Sequence, residues 1–309
     1  MEKLIIIGNG FDIWQGLKTS YKYLVEYYRD NRERILKKLH IPEVVYEDED
    51  GTKFHTDQTS IIYSNPFFSE ILDDEFWFNF EESLGVIDDQ TVNLYFGKTR
   101  RELRYMNKTI KRAKRIIHYT FMEWLKTIAL PNIKIDDYNF DNCLFVNFNY
   151  TPTLQQIFNV REENVLHIHG ELNDKKSIIY GHNSHPEPPE RIAKFFGGRF
   201  KGLYQIEKLL YDTNKPIDEQ IALCIFFFSL HAIPVKSLEE IVVLGHSFGE
   251  VDFEYFRFFK RALKNNAKWK ITFHTPEDVI RIKKVLKKLK IKNYQLYSSI
   301  DECLEEFKK

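Results

Sequence analysis

Apolar and polar positions change period several times along the chain, and the changes outline alternating strands and helices. Lys3–Ile7 is a short β-branched run that ends in Gly8-Asn9-Gly10, which reads as a buried first strand. Ser20 stands where a capping residue would open a helix over Tyr21–Leu39. Val44-Val45-Tyr46 and Lys53-Phe54-His55 flank an acidic, glycine-ended turn, the pattern of a hairpin. From Pro66 to Leu130 the spacing is helical, with Trp77, Phe80 and Leu84 and later Phe121, Trp124 and Leu125 on apolar faces.

After Pro131 strand-like runs recur at Cys143–Phe148, Val165–Ile168, Ser177–Tyr180, Ile241–Leu244, Lys270–Phe273 and Tyr294–Tyr297. Helical patterns fill Asp252–Leu263, Pro276–Leu289 and Ser299–Phe307, and Glu187–His231 reads as two or three more helices. Strands alternating with helices predict an α/β fold with a mainly parallel, Rossmann-like sheet. One domain over residues 1–309 is expected, carrying helical insertions at about 66–130 and about 187–233.

Composition narrows the function classes. The 309 residues are 43% hydrophobic, enough for a large core and too apolar for a disordered chain. Forty-five basic and 45 acidic side chains cancel, so nucleic acid is not an expected partner on bulk charge. Local blocks exist: Asn65–Gly97 holds acids and no Lys or Arg, Lys98–Arg115 is basic, and Lys260–Lys292 is lysine-rich. They read as solvated faces, self-association surfaces or, less simply, a nucleic-acid contact. Cys143, Cys224 and Cys303 are too far apart for a zinc module or a disulfide framework. The apolar run at Leu4–Ile7 is too short for a signal peptide, and the run at Ile221–Ile233 is too short for a bilayer. A cytoplasmic protein without a membrane is expected.

Five polar motifs follow strand-like runs directly: Gly8-Asn9-Gly10-Phe11-Asp12, Asn149-Tyr150-Thr151, His169-Gly170, Gly181-His182-Asn183 and Gly245-His246-Ser247. In an open parallel sheet they would converge on the edge where ligands bind. Gly8 and Gly10 would let backbone N–H groups approach a phosphate or ribose; a tight turn is the plainer reading. Position 13 is Ile13, so the dinucleotide glycine fingerprint is incomplete and a dehydrogenase is disfavoured. Asp12 would repel a pyrophosphate and fits a helix cap or a hydroxyl better. Asn149 suits a ribose hydroxyl or a water, and otherwise a helix cap.

His167 and His169 face one side of their strand; His169, at its end, is the candidate general base. The pair lacks a matching carboxylate set, so no metal is expected. His182 and His246 are pocket candidates, and Asp252 is a helix cap or site residue. Gly245-His246-Ser247-Phe248-Gly249 also fits Gly-x-Ser-x-Gly, which keeps a hydrolase elbow open.

Taken in order, Gly8-Asn9-Gly10-Phe11-Asp12 with Gly16 and Thr19-Ser20-Tyr21, Phe148-Asn149-Tyr150-Thr151, Ile168-His169-Gly170 and Gly245-His246-Ser247-Phe248-Gly249-Glu250-Val251-Asp252 resemble the AbiH family of bacteriophage abortive-infection proteins. That family is similar, more distantly, to sirtuin-like domains, several of which consume NAD in antiphage defence. The resemblance implies NAD as substrate or ligand, not a prosthetic group, and hydrolysis of the nicotinamide–ribose bond. It assigns catalysis to Asn149 and His169, and nucleotide contact to Gly8, Gly10, Gly245 and Ser247; Asn9, Asp12, Gly170, His246 and Asp252 stand in the same strand-end motifs and complete the candidate nucleotide-binding set. A phage-derived trigger and self-association are the partners it allows. The first loop departs from the sirtuin Gly-Ala-Gly-x-Ser, and zinc-binding cysteine pairs are absent, so deacylation is not implied. The alternatives are a nucleotide-sensing or partner-binding module and a nucleic-acid effector.

Overall fold

The computed structural model describes residues 3–42, 44–47, 50–51, 53–56, 100–174, 176–183, 208, 210–231, 236, 238–264 and 266–309. Its described strands are β1 (Lys3–Ile7), β2 (Val44–Glu47), β3 (Lys53–Thr56), β4 (Cys143–Asn147), β5 (Val165–His167), β6 (Glu240–Leu244), β7 (Lys268–Thr272) and β8 (Tyr294–Tyr297). The helices are α1 (Asn9–Trp14), α2 (Tyr21–Leu39), α3 (Arg100–Leu125), α4 (Thr153–Phe158), α5 (Ile217–Leu230), α6 (Phe253–Ala262), α7 (Pro276–Lys288) and α8 (Ile300–Leu304). The chain divides into two compact units, one of Met1–Thr19, Ile128–Ile179 and Pro216–Lys309, the other of Ser20–Thr127 and Tyr180–Lys215.

The first unit carries six parallel strands in the order β5-β4-β1-β6-β7-β8. Counting only these strands along the chain, the order is 3-2-1-4-5-6, that of the doubly wound Rossmann sheet. The central strands are apolar on both faces because helices cover both: β1, β4 and β6 bury nearly every residue. One core lies around Ile6, Val146, Val243, Phe228, Phe256 and Trp269, and the other around Ile5, Phe145, Val242, Phe158 and Leu304. The order in which successive strands are added reverses between β1 and β6, so the switch point lies beyond Ile7 and Leu244.

The second unit packs α2 on α3 through Tyr28, Ile35, Leu36, Ile41 and Ile116, and the hairpin β2–β3 pairs Val44 with Thr56. Helix α3 confirms the later half of the 66–130 helical reading; residues 57–99 lie outside the described residues. Of the 187–233 helices, α5 is formed, and most of the remainder lies outside the described residues.

One strand prediction fails. Ser177–Tyr180 forms no strand. The chain turns back at Gly170, and Ile179 makes a single backbone bond to the His169 carbonyl. The Ile179 carbonyl accepts from the Tyr150 hydroxyl at 2.9 Å instead of extending a ladder. β-Branched residues alone do not make a strand when a side chain takes the ladder's acceptor.

Candidate functional site at the carboxyl edge of the sheet

Four of the motifs meet where β1, β4, β5 and β6 end. The glycines explain how closely they meet. A Cβ on Gly8 would lie 2.4 Å from the His246 Cα, one on Gly10 2.8 Å from the Gly245 Cα, and one on Gly245 2.3 Å from the Phe11 nitrogen. Gly8, Gly10 and Gly245 therefore let two strand-end loops pack backbone to backbone. Gly10 N–H donates to the Gly245 carbonyl at 2.7 Å, and Gly245 N–H donates to Thr272 Oγ1 at 2.9 Å. Gly245 sits at φ +62°, which favours glycine. Asn9 opens the six-residue α1 and is half-buried. Gly170 sits at φ +84°, and a Cβ there would lie 2.2 Å from the Ser177 carbonyl oxygen.

Asn149 ties the loops after β1 and β4. Its N–H donates to Asn147 Oδ1 at 2.9 Å, turning the chain at the strand end, and its Nδ2 donates to the Gly8 carbonyl at 3.1 Å. It does not cap α4, whose N-cap is Pro152 with no side-chain bond. Asp12 is buried in the first turn of α1 and accepts from Thr153 Oγ1 at 2.8 Å and from Thr151 Oγ1 at 2.5 Å. Burial pushes its pKa up to about 6, against the lowering effect of hydrogen bonds from Thr151, Thr153 and Asn149. The hydroxyls that Asp12 binds are the protein's own.

The titratable centre is a carboxylate between two imidazoles. Asp252 Oδ2 lies 3.5 Å from His246 Nε2, and Oδ1 lies 3.9 Å from His169 Nε2. All three residues are buried. Phe248 N–H donates to His246 Nδ1 at 2.9 Å, so the proton of neutral His246 sits on Nε2, facing Asp252. To make that bond, Phe248 adopts φ +56°, a costly conformation for a bulky residue. Phe148 packs edge-on against both imidazoles, with centroids 5.2 Å from His169 and 4.6 Å from His246. Asp252 occupies the N-cap position of α6 but makes no side-chain cap bond; its carboxylate serves the histidines.

His167 is a structural residue. Its ring bonds the Asn149 carbonyl at 3.1 Å and the Gln155 amide at 2.9 Å, and burial holds its pKa below the usual value. His182 belongs to the second unit, where its Nε2 lies 2.9 Å from the Leu210 carbonyl. Ser247 is half-buried, and its carbonyl accepts from Arg281 Nε at 2.6 Å. Its neighbour His246 turns one nitrogen to Asp252 and the other to the Phe248 N–H, so that imidazole is not aimed at the serine hydroxyl. Burial raises the thiols of Cys143, Cys224 and Cys303 to about 12, which leaves them protonated.

Sequence reading missed Thr272 and Arg281, which hold the late loop from below and from α7. Arg281 stands among lysines on a helix, and nothing in the local pattern separates it from them. Thr153 carried a signal, a hydroxyl two residues after Thr151. Among the described residues no group of three or more His, Cys, Asp and Glu could hold a metal ion, and no helix is long and apolar enough to cross a membrane. A cavity of about 540 Å³ lies at the opposite end of β4 and β5, lined by Tyr138, Phe140, Gln155, Phe158 and Arg161 among others.

A family model described as bacteriophage abortive infection AbiH matches residues 4–273. No curated protein and no solved structure matches the chain. The chain belongs to the AbiH family, and its function lies in phage abortive infection.

Proposed function

We propose that this AbiH-family chain acts in abortive infection by binding NAD, or a closely related nucleotide, at the carboxyl edge of the sheet and hydrolysing its nicotinamide–ribose bond. The supporting observation is the Asp252 carboxylate set between His169 and His246 beside the topological switch point. Open α/β sheets bind ligands there. Buried, mutually facing titratable groups mark sites of proton transfer. The resemblance to sirtuin-like domains supplies the substrate class.

In the reaction, the C1′–N bond breaks and its electron pair neutralises the pyridinium of departing nicotinamide. A water oxygen bonds to the oxocarbenium-like C1′ and its proton passes to His169, yielding ADP-ribose, nicotinamide and a released proton. Asp252 orients His169 and stabilises the imidazolium that forms. His246, with its tautomer held by the Phe248 N–H, fixes the other carboxylate oxygen. Asn149 acts as a positioning residue, because its Nδ2 is engaged with the Gly8 carbonyl. Loss of NAD would arrest the infected cell.

The test is nicotinamide release from NAD by the purified chain, alone and with extract of phage-infected cells, beside His169→Ala and Asp252→Asn. Release lost in His169→Ala with NAD binding retained is the expected result. Binding without release in any condition would favour a nucleotide sensor. That second reading has its own observation: Asn149, the other candidate for the chemistry, is spent on tying the loops after β1 and β4 together.

A further inference from the structure

Helix α5 is apolar on both sides. Inward, Cys224, Phe227 and Phe228 join the core that also contains Ile168, Phe248 and Phe256. Outward, Leu223, Ile225, Phe226 and Leu230 are 46%, 55%, 59% and 65% exposed. No charged residue occurs between Gln220 and Leu230. A helix apolar all round is normally covered on all sides, and monomers seldom expose a contiguous apolar strip of this kind. Leu223, Phe226 and Leu230 stand at i, i+3 and i+7, the spacing of a two-helix seam. Ala222 and Ser229 beside the seam are small and exposed, which lets a second helix approach closely. The Ser229 hydroxyl donates to the Phe226 carbonyl at 2.7 Å, so the strip carries no unmet hydroxyl when water leaves it.

We propose that the outer face of α5 is the centre of a homodimer interface in which α5 packs antiparallel on α5 of a second copy. The argument for a second copy is charge complementarity. The ends of the helix differ: exposed Asp218 and Glu219 stand in the first turn, and exposed Lys236 follows the last. Antiparallel pairing about a two-fold axis sets each acidic end beside the other copy's Lys236 and opposes the helix dipoles. The apolar seam between them is self-complementary, since Leu223 meets Leu230 and Phe226 meets its own copy at the axis. A stable interface needs on the order of 800 Å² from each copy, and Leu223, Phe226 and Leu230 form its dry centre.

Sedimentation velocity of the full chain tests this. A dimer is expected at about 10 µM, becoming monomer in Phe226→Asp with an unchanged far-ultraviolet circular dichroism spectrum. Because Phe226 is exposed, that variant leaves the core intact. Glu219→Lys and Lys236→Glu should each weaken the dimer by about tenfold, and the double variant should restore it. A wild-type monomer at this concentration, a dimer insensitive to Phe226→Asp, or a charge swap that fails to restore association overturns the arrangement.

Discussion

The two edges of the same sheet solve the problem of polar residues in opposite ways. At the amino edge, Lys3, Glu240, Lys270 and Glu306 form a closed ring of alternating charges: Lys3 lies 2.9 Å from Glu240 and 3.0 Å from Glu306, and Lys270 bridges the same two carboxylates. Every charge there has an opposite partner, and Lys3 and Glu306 keep partial access to water while Lys270 is buried within the ring. At the carboxyl edge, Asp12, His169, His246 and Asp252 are buried, and the backbone takes positive φ at Gly170, Gly245 and Phe248. One edge is built for stability. The other stores strain and desolvated titratable groups, the features that make it the candidate site.

The largest effect should come from closing the space between the two loops. Gly245→Ala combines a positive φ with a Cβ 2.3 Å from the Phe11 nitrogen, and should cost roughly 3–5 kcal/mol in urea unfolding. Gly249→Ala is the internal control: φ is −57° and the nearest atoms are 3.8 Å away. It should be neutral or stabilising by about 0.5 kcal/mol. Equal losses in the two variants would show that the loop junction is soft.

The edges should also answer pH with opposite signs. Asp12 has a native pKa of about 6 against 3.8 unfolded, so the native state holds the extra proton between these values. Its contribution therefore falls as pH rises from 4 to 6, by on the order of 2 kcal/mol, and Asp12→Asn should abolish that slope. Glu306 behaves conversely. Partial burial pushes its pKa up, but hydrogen bonds from Lys270 and Lys3 hold it below the carboxylate range. Its stabilisation is present above pH 4.5 and is lost as pH falls through its lowered pKa. Wild-type minus variant stability, followed from about pH 2.5 to 7, separates the two; a flat difference for Asp12→Asn would contradict the desolvated carboxylate.

At the amino edge, Lys270→Ala removes a cation whose side chain is 8% exposed and leaves Glu240 and Glu306 to share Lys3. A loss of about 2 kcal/mol, shrinking in high salt, is expected from thermal unfolding. A salt-insensitive loss would mean that the lysine stem packs and its charge does little.

Much of the sheet is legible in the sequence because each strand advertises itself by a β-branched run. The run at Lys3–Ile7, the hairpin and the helix at Tyr21–Leu39 fall where periodicity puts them. The edge carrying the candidate site is legible for the same reason: strand ends in a parallel sheet point one way. What the pattern hides is who binds whom. Ser177–Tyr180 looks like a strand until the Tyr150 hydroxyl takes the Ile179 carbonyl. The glycines after β1 look like a ligand cradle until Gly245 fills it from 235 residues away. Asp252 looks like a cap until His169, 83 residues before it in the chain, and the nearer His246 claim it. Long-range partners leave no local trace.

Helix caps show the same contrast at its smallest scale. Ser20 and Thr275 both occupy N-cap positions with extended backbone. Thr275 Oγ1 accepts from the Asp278 N–H at 3.2 Å while Asp278 returns a bond to the Thr275 N–H at 2.9 Å, a complete capping box beneath the Arg281 clamp on Ser247. The Ser20 hydroxyl makes no cap bond. Thr275→Ala should therefore cost about 1 kcal/mol, and Ser20→Ala only about 0.3 kcal/mol, in urea unfolding. The same residue class at the same helix position differs because only one of the two finds its reciprocal partner three residues on. An equal cost for the two substitutions would mean that the box adds nothing beyond the cap residue's intrinsic preference.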